Sequence, residues 1–322
     1  MQLDLQLVEQ AGQRLAGVIR KTPLLSSPTL ERLCGRPVYL KAENLQITGS
    51  FKIRTAYPQI AALLDADRAR GVIASSSGNF GQGVAYAAHQ LGCKATIVMM
   101  KQASPYKVEA TRSHGAEIVF CENTFESRVE TVNRLAAERG LTQVHPFNST
   151  WGMAGNGTAA LEIVADLEQV DAVLVPASGG GLLAGIAVAL RLLRPDIAVF
   201  GVQSRGSNAF YQSFHAKTAV KIDRAKTIAD GLIVTAPSDP NLTLVQKTAA
   251  GFFQVEEDTI VRAMRILADG AKLVVEPSGA VSLAAILEGH LPREYRRPVC
   301  LVTGGNIDPV EFAKYLNAGV GG

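Results

Sequence analysis

The chain has 322 residues, of which 47% are hydrophobic and 19% are charged, and its formal net charge is +3. This composition is typical of soluble α/β enzymes and excludes fibrous and disordered chains, and the scattered charges predict that nucleic acid is not a partner. The cysteines at 34, 93, 121 and 300 form no CxxC pair, so we expect no disulfide framework and no zinc site but a reduced, cytoplasmic setting.

Short apolar strands alternate with helical patterns along most of the chain. The strands are predicted at 38–41, 72–75, 95–99, 117–120, 172–175, 198–202 and 299–302. The helices are predicted at 81–91, 124–139, 157–167, 182–193, 259–270, 282–287 and 309–316. Because near-continuous apolar strands separated by helices form parallel sheets covered on both faces, we predict an α/β fold.

The predicted strands fall into two groups along the chain. Three or four closely spaced β–α units lie between residues 54 and 144, and a loop at 145–150 separates them from the second group. Ligands bind at the carboxyl ends of parallel strands, which is where the glycine and serine clusters of this chain fall. We therefore expect two sheets with a binding site between two lobes.

The apolar run at 172–193 is long enough to suggest a membrane span. Pro176 and the glycines at 179–181 interrupt it, however, so a strand, a turn and a buried helix fit the pattern better. We predict that the protein does not associate with membranes.

A lysine at position 52 follows the strand-like run at 38–41 and a Gly49-Ser50 turn, at the start of a helical pattern. Burial lowers the pKa of a lysine because it disfavours the charged form, and the neutral amine that results can form a Schiff base. Taken alone, a solvated surface lysine is the simpler interpretation, because the chain has 32 lysines and arginines.

A second segment, at 178–182, has the sequence Ser-Gly-Gly-Gly-Leu between a strand and a helix. Glycines let the backbone approach a ligand, and the N–H groups of a helix start attract a phosphate. Gly179, Gly181 and Ala184 also fit a dinucleotide fingerprint, but the next strand ends at 203–205 without the acid that would hold a ribose. An NAD-dependent oxidoreductase is therefore a remote alternative. The glycines could also serve only to let a strand and a helix pack closely, without binding a ligand.

Two further clusters, at 75–83 and 302–306, also follow predicted strands. The first contains Ser76, Ser77 and Asn79, and its serine hydroxyl groups and backbone amides could bind a carboxylate. The structural alternative is ordinary helix capping by serine or asparagine, and the second cluster taken alone is a turn with a capping residue.

In this order, the four segments resemble the fold-type II pyridoxal-phosphate enzymes, specifically the serine/threonine dehydratase and serine racemase group. The resemblance runs from about Thr22 to Asp308 and includes the motifs at 155–158, 227–231 and 276–279. It implies two parallel-sheet α/β lobes like those of the tryptophan synthase β-subunit, with the active site in the cleft between them. The large cofactor-binding domain would be discontinuous, comprising 1–53 and 148–322, and the small domain would comprise 54–147.

The resemblance also implies roles for individual residues. Lys52 would hold pyridoxal 5′-phosphate as a Schiff base beside Phe51, Asn79 would bond the ring hydroxyl, Thr303 would face the pyridine nitrogen and Gly231 would line the pocket. The phosphate would lie against the backbone of Ser178, Gly179, Gly180, Gly181 and Leu182. The substrate carboxylate would be surrounded by Ser76, Ser77, Asn79 and Phe80.

The activity implied is an ammonia-lyase (dehydratase) reaction on a β-hydroxy-α-amino acid, with L-threonine or L-serine as the default substrate. A neutral hydroxyl at Thr303 does not hold the pyridine nitrogen protonated, so loss of the Cα proton to Lys52 and of the β-hydroxyl should be closely coupled. Ser77 is the second candidate catalytic residue and keeps an amino-acid racemase open as the alternative, because racemases of this group have serine there to handle the proton on the opposite face. Phe80 replaces the usual histidine and hints at an apolar β-substituent, as in phenylserine, while 3-hydroxyaspartate is a further candidate.

The sequence also supports expectations about metal binding, assembly and a non-enzymatic alternative. The stretch at 203–209 lacks paired carboxylates, so we expect no divalent metal site. A homodimer is the family expectation. A binding module without activity is a non-enzymatic alternative, which the joint presence of Lys52 and the glycine segment disfavours.

Overall fold

The computed structural model describes residues 2–317. Its helices are α1 (Leu5–Leu15), α2 (Pro28–Cys34), α3 (Lys52–Ala61), α4 (Asp65–Arg70), α5 (Asn79–Gln90), α6 (Pro105–Arg112), α7 (Phe125–Arg139), α8 (Thr150–Asp166), α9 (Gly181–Leu193), α10 (Ala209–Ala216), α11 (Asp239–Thr248), α12 (Glu257–Ala271), α13 (Pro277–Leu287) and α14 (Pro309–Asn317). Its strands are β1 (Leu24–Ser26), β2 (Tyr39–Ala42), β3 (Val72–Ser75), β4 (Ala95–Met100), β5 (Glu117–Cys121), β6 (Thr142–Gln143), β7 (Ala172–Pro176), β8 (Ala198–Ser204), β9 (Gly251–Val255) and β10 (Pro298–Val302).

The larger sheet has six strands in the order β1-β2-β10-β7-β8-β9, all parallel except β1, which runs antiparallel to β2. Side chains alternate between its faces, as the pleat requires. Val173 and Val175 pack in the core cluster that contains α8 and α9 residues, whereas Leu174 packs in the cluster of α12 and α13. Helices cover both faces, which explains why these strands are apolar throughout.

The smaller sheet has four parallel strands in the order β5-β4-β3-β6. Val72 and Ala74 face a core shared with α3 and α5, whereas Ile73 faces Val132 and Leu135 of α7. The predicted α/β fold with two parallel-sheet lobes is thus confirmed. The domain boundaries after residues 53 and 147 stay a prediction.

Helix α8 begins at Thr150, so its predicted start at residue 157 is wrong. The glycines in the first half of α8 allow close packing. A Cβ at Gly155 would lie 1.9 Å from the Arg54 carbonyl oxygen, and one at Gly185 in α9 would lie 2.2 Å from the Met153 carbonyl oxygen. Helix α8 therefore packs tightly between α3 and α9.

The apolar segment at 172–193 forms β7, a glycine turn and α9, as predicted. Among residues 2–317, no helix has the length and hydropathy needed to span a membrane.

Candidate active site

Lys52 is the first residue of α3, and backbone hydrogen bonds to the end of β10 fix its position. Ser50 forms an isolated bridge with Gly304, and the Phe51 N–H donates to the Thr303 carbonyl oxygen at 3.0 Å. The lysine thus projects from a helix start that is tied to the carboxyl end of the large sheet, where ligands of α/β proteins bind.

Lys52 is half-buried. Its Nζ donates to the Pro146 carbonyl oxygen at 3.3 Å and lies 4.7 Å and 5.8 Å from the ring centroids of Phe51 and Phe80. Burial lowers the pKa of Lys52 to about 8, against the opposing effect of the Glu276 carboxylate. An amine with this pKa is partly neutral near pH 8 and therefore nucleophilic.

The glycine segment between β7 and α9 leaves no room for side chains. A Cβ at Gly179 would lie 2.4 Å from the Phe147 ring, and one at Gly181 would lie 2.7 Å from the Phe147 carbonyl oxygen. Gly180 has a φ of 92°, which favours glycine. Asn241 Nδ2 holds this loop by donating to the carbonyl oxygens of Gly179 and Phe147.

Backbone N–H groups at the start of α9 have no partner within the helix and can bind an anion. This glycine cradle, residues 178–182, therefore fits a phosphate group held by the backbone. Residues 146 and 147 connect it to Lys52, because the Pro146 carbonyl oxygen accepts from Lys52 Nζ and Phe147 packs against the glycines.

The predicted carboxylate-binding segment lies between β3 and α5. Ser76 Oγ accepts from the Gly78 N–H at 3.2 Å, and Ser77 Oγ accepts from the Met100 N–H at 3.3 Å. Phe80 is 2% exposed, and its ring packs in the core of the small sheet. Backbone groups of this segment, rather than the Phe80 side chain, are therefore the groups available to a substrate carboxylate.

Asn79, the first residue of α5, is hydrogen bonded to two residues of the opposite lobe. Its Nδ2 donates to Glu276 Oε1 at 2.6 Å, and its Oδ1 accepts from Asn306 Nδ2 at 2.8 Å. Burial and the nearby Asp230 raise the pKa of Glu276 to about 7. A buried acid with a raised pKa at the edge of a cleft is typical of functional sites.

The remaining predicted residues meet near the start of α13. Thr303 Oγ1 donates to the Ser278 carbonyl oxygen at 3.3 Å, and Ser278 Oγ accepts from the Gly231 N–H at 3.0 Å. Thr303 also accepts from Phe51 through its carbonyl group, so it lies next to Lys52 in the fold. The structure thus brings Lys52, Asn79 and Thr303 together from three separate parts of the chain.

Within residues 2–317, no group of three or more His, Cys, Asp and Glu side chains could hold a metal ion. In the stretch considered for metal binding, Arg205 Nε lies 2.5 Å from Glu256 Oε1. Independence of divalent metals stays a prediction.

Three residues of the site were not predicted to have a role there: Glu276, Asn306 and Pro146. Glu276 directly precedes a proline at a helix start, a pattern that indicates capping and gives no hint of a side chain turned towards Asn79. The sequence does contain the motifs of Glu276 and Asn306, but only the fold brings them to one place.

A family model described as pyridoxal-phosphate dependent enzyme matches residues 15–304. The L-threonine ammonia-lyase of Thermotoga maritima is 39% identical over 318 residues, which cover 99% of this chain and 79% of that protein. A catabolic L-threonine dehydratase of Staphylococcus aureus is 38% identical over 317 residues, which cover 97% of this chain and 92% of that protein. Maize serine racemase superposes with a TM-score of 0.93 at 33% identity, covering 97% of this chain and 96% of that chain.

These matches extend over nearly the whole chain, and the geometry agrees with the cofactor of the family. A half-buried amine at Lys52 and the glycine cradle, in which side chains would collide with Phe147, fit the aldehyde and phosphate groups of pyridoxal 5′-phosphate. The chain therefore belongs to the family of pyridoxal-phosphate dependent enzymes, as a lyase of fold type II.

Proposed function

We propose that this enzyme is an ammonia-lyase that eliminates water from a β-hydroxy-α-amino acid, L-threonine or L-serine. The enamine that results tautomerises to an imine, and uptake of one water hydrolyses the imine to a 2-oxo acid and ammonia. The observation that carries the proposal is the position of Lys52 at a helix start tied to Thr303 and Gly304, where burial lowers the pKa of its amine. The relatives named for threonine ammonia-lyase and dehydratase activity support the choice of reaction.

The cofactor would be held at several points. Lys52 would bind its aldehyde carbon beside Phe51, the backbone of the glycine cradle would bind its phosphate, and Asn79 and Thr303 would face its ring hydroxyl and ring nitrogen. Gly231 would line the pocket. When bound, pyridoxal phosphate supplies an electron sink that weakens the Cα–H bond of an attached amino acid.

The residues of the chain then position the substrate and move its proton. Backbone N–H groups near Ser76, Ser77, Asn79 and Phe80 would hold the substrate carboxylate at the start of α5, where helix N–H groups lack partners. Lys52, once released by the incoming amine, takes the Cα proton, because a pKa of about 8 makes it a competent base near neutral pH.

Elimination is favoured over racemisation by the relatives named for threonine ammonia-lyase and dehydratase activity. A racemase needs an acid or base opposite Lys52, and Ser77 is the candidate for that role. Its Oγ accepts from the Met100 N–H at the end of β4 and keeps its own proton to donate, so this bond is compatible with either reaction. Racemisation therefore stays an outcome of the test.

The test is to incubate the yellow holoenzyme with L-threonine, L-serine, 3-hydroxyaspartate and phenylserine, and to measure 2-oxo acid, ammonia and the chirality of the remaining substrate. We expect a 2-oxo acid and ammonia in equal amounts, with L-threonine or L-serine having the highest kcat/KM. Accumulation of D-serine without pyruvate would establish the racemase instead. An absence of turnover with all four substrates would support a binding module.

The pKa of Lys52 leads to a prediction about cofactor uptake. In enzyme stripped of cofactor, the fraction of neutral Lys52 rises with pH through about 8, because burial disfavours the ammonium. The rate of uptake of added pyridoxal phosphate can be followed by the visible absorbance of its protein-bound form. We expect this rate to rise through the same pH and then level off. A rate that keeps rising up to about pH 10, the range of an ordinary lysine, would contradict this environment.

A cytoplasmic location and a homodimeric assembly also belong to this proposal. Light scattering of the holoenzyme gives the mass that tests the homodimer.

A further inference from the structure

A chain of hydrogen bonds crosses from one lobe to the other at Asn79. Asn306, in the loop after β10, donates through Nδ2 to Asn79 Oδ1 and also to the Thr48 carbonyl oxygen, at 2.8 Å each. Asn79 Nδ2 in turn donates to Glu276 Oε1, which directly precedes α13. Asn79 and Glu276 are 197 residues apart in the chain, so this contact exists only in the folded protein.

These partners fix the orientation of the Asn79 amide. The Thr48 carbonyl oxygen only accepts hydrogen bonds, so the NH2 group of Asn306 faces it and also faces Asn79. The oxygen of Asn79 must therefore face Asn306, which turns its NH2 group towards Glu276. One N–H of Asn79 remains for a second acceptor. The same amide rotated by 180° would place two NH2 groups against each other at Asn306.

Gly304 leaves room for the contact between Asn79 and Glu276. A Cβ at Gly304 would lie 2.4 Å from Glu276 Oε1 and 3.1 Å from Asn79 Nδ2, so only glycine leaves room for the pair. Glu276 is 3% exposed, and burying a carboxyl group is costly unless it has partners. Its charged neighbours are Asp230, which raises its pKa, and Lys107 and Lys52, which lower it.

We propose that Glu276 is a positioning residue that orients the Asn79 amide so that its free N–H points at the ring hydroxyl of the cofactor. This inference rests on the proposed assignment of Asn79 to that hydroxyl. Glu276 acts through Asn79 and does not itself contact the cofactor. Asn306 completes the arrangement from the other side of the amide.

The test compares holoenzyme carrying Glu276→Gln or Glu276→Leu with the unchanged protein. Glutamine keeps an oxygen that can accept from Asn79 Nδ2, whereas leucine has none. We expect Glu276→Leu to shift the visible absorption band, which responds to the ring hydroxyl, and to weaken cofactor binding about tenfold, the loss typical of one charge-assisted hydrogen bond. Glu276→Gln should restore the band position and most of the affinity.

Two further variants separate positioning from general stability. Glu257→Gln removes a large-lobe carboxylate that accepts from Thr227 and Ile228 but does not bond Asn79, and it should leave the band unchanged. Asn306→Ala should shift the band in the same way as Glu276→Leu, and it provides the test if the leucine variant does not fold.

The possible outcomes distinguish this inference from the proposed function. If Glu276→Leu and Asn306→Ala both have the band and cofactor affinity of the unchanged enzyme, the positioning role is wrong. If the unchanged enzyme itself has no protein-bound visible band, the proposed role of Lys52 fails first.

Discussion

Replacing Lys52 with alanine should lower kcat/KM for L-threonine by at least about 10³-fold while the protein stays folded. The variant loses both the amine that binds the cofactor and the base that takes the Cα proton, and a positioned general base alone contributes about 10²–10⁴-fold. Lys52 is only half-buried, so its truncation leaves a small space at the cleft rather than a cavity in the core.

The measurement is steady-state formation of 2-oxo acid by Lys52→Ala and by Lys21→Ala, with unfolding monitored for both. Lys21 is an exposed lysine paired with Asp166, and its removal should leave kcat/KM within about twofold of the original, as expected of an exposed ion pair. A Lys52→Ala enzyme that retains a tenth of the original activity would rule out this lysine as the base.

Replacing Arg54 with methionine should lower the free energy of unfolding by about 3–5 kcal/mol. The Arg54 side chain is fully buried and donates to both oxygens of Glu43 and both oxygens of Glu162 at 2.7–2.9 Å, and to Thr158 at 2.9 Å. The two carboxylates hold the pKa of Arg54 above its usual value. Removing the guanidinium leaves Glu43 buried without its charge partner, which is the costly arrangement.

Urea unfolding of Arg54→Met and Arg134→Met, followed by circular dichroism, tests this ion network. Arg134 forms an exposed pair with Glu138 one helical turn away, so its replacement should cost no more than about 0.5 kcal/mol. An Arg54→Met protein within about 1 kcal/mol of the original would show that the network does not stabilise the fold. Because Arg54 lies two residues after Lys52 in α3, we also expect weaker cofactor retention in this variant.

Strands buried on both faces were predictable from the sequence because their composition is apolar throughout. Residues 72–75 form β3 as predicted, and the predicted strands at 95–99 and 172–175 differ from β4 and β7 by one residue each. Strands β1 and β6 have three and two residues, too few to show a pattern, and they depend on pairing with β2 and β3. Strand β9 was missed because half-buried Gln254 interrupts its apolar run.

The site was predictable where its residues are contiguous in the sequence. Lys52 and the glycine cradle lie in short segments whose chemistry can be inferred locally. The contacts of Glu276 and Pro146 could not be inferred in this way, because they join residues 197 and 94 positions apart. The lowered pKa of Lys52 likewise depends on burial by both lobes, which no local pattern encodes.

The covalent attachment of the cofactor to Lys52 is the central claim, and borohydride reduction of the holoenzyme followed by peptide mapping tests it most directly. Borohydride converts a Schiff base to a stable secondary amine, so the modified lysine can be identified by mass. We predict a single phosphopyridoxyl group, on the peptide that contains Lys52. A modified peptide containing another lysine, or no modified peptide from fully loaded enzyme, would contradict the account.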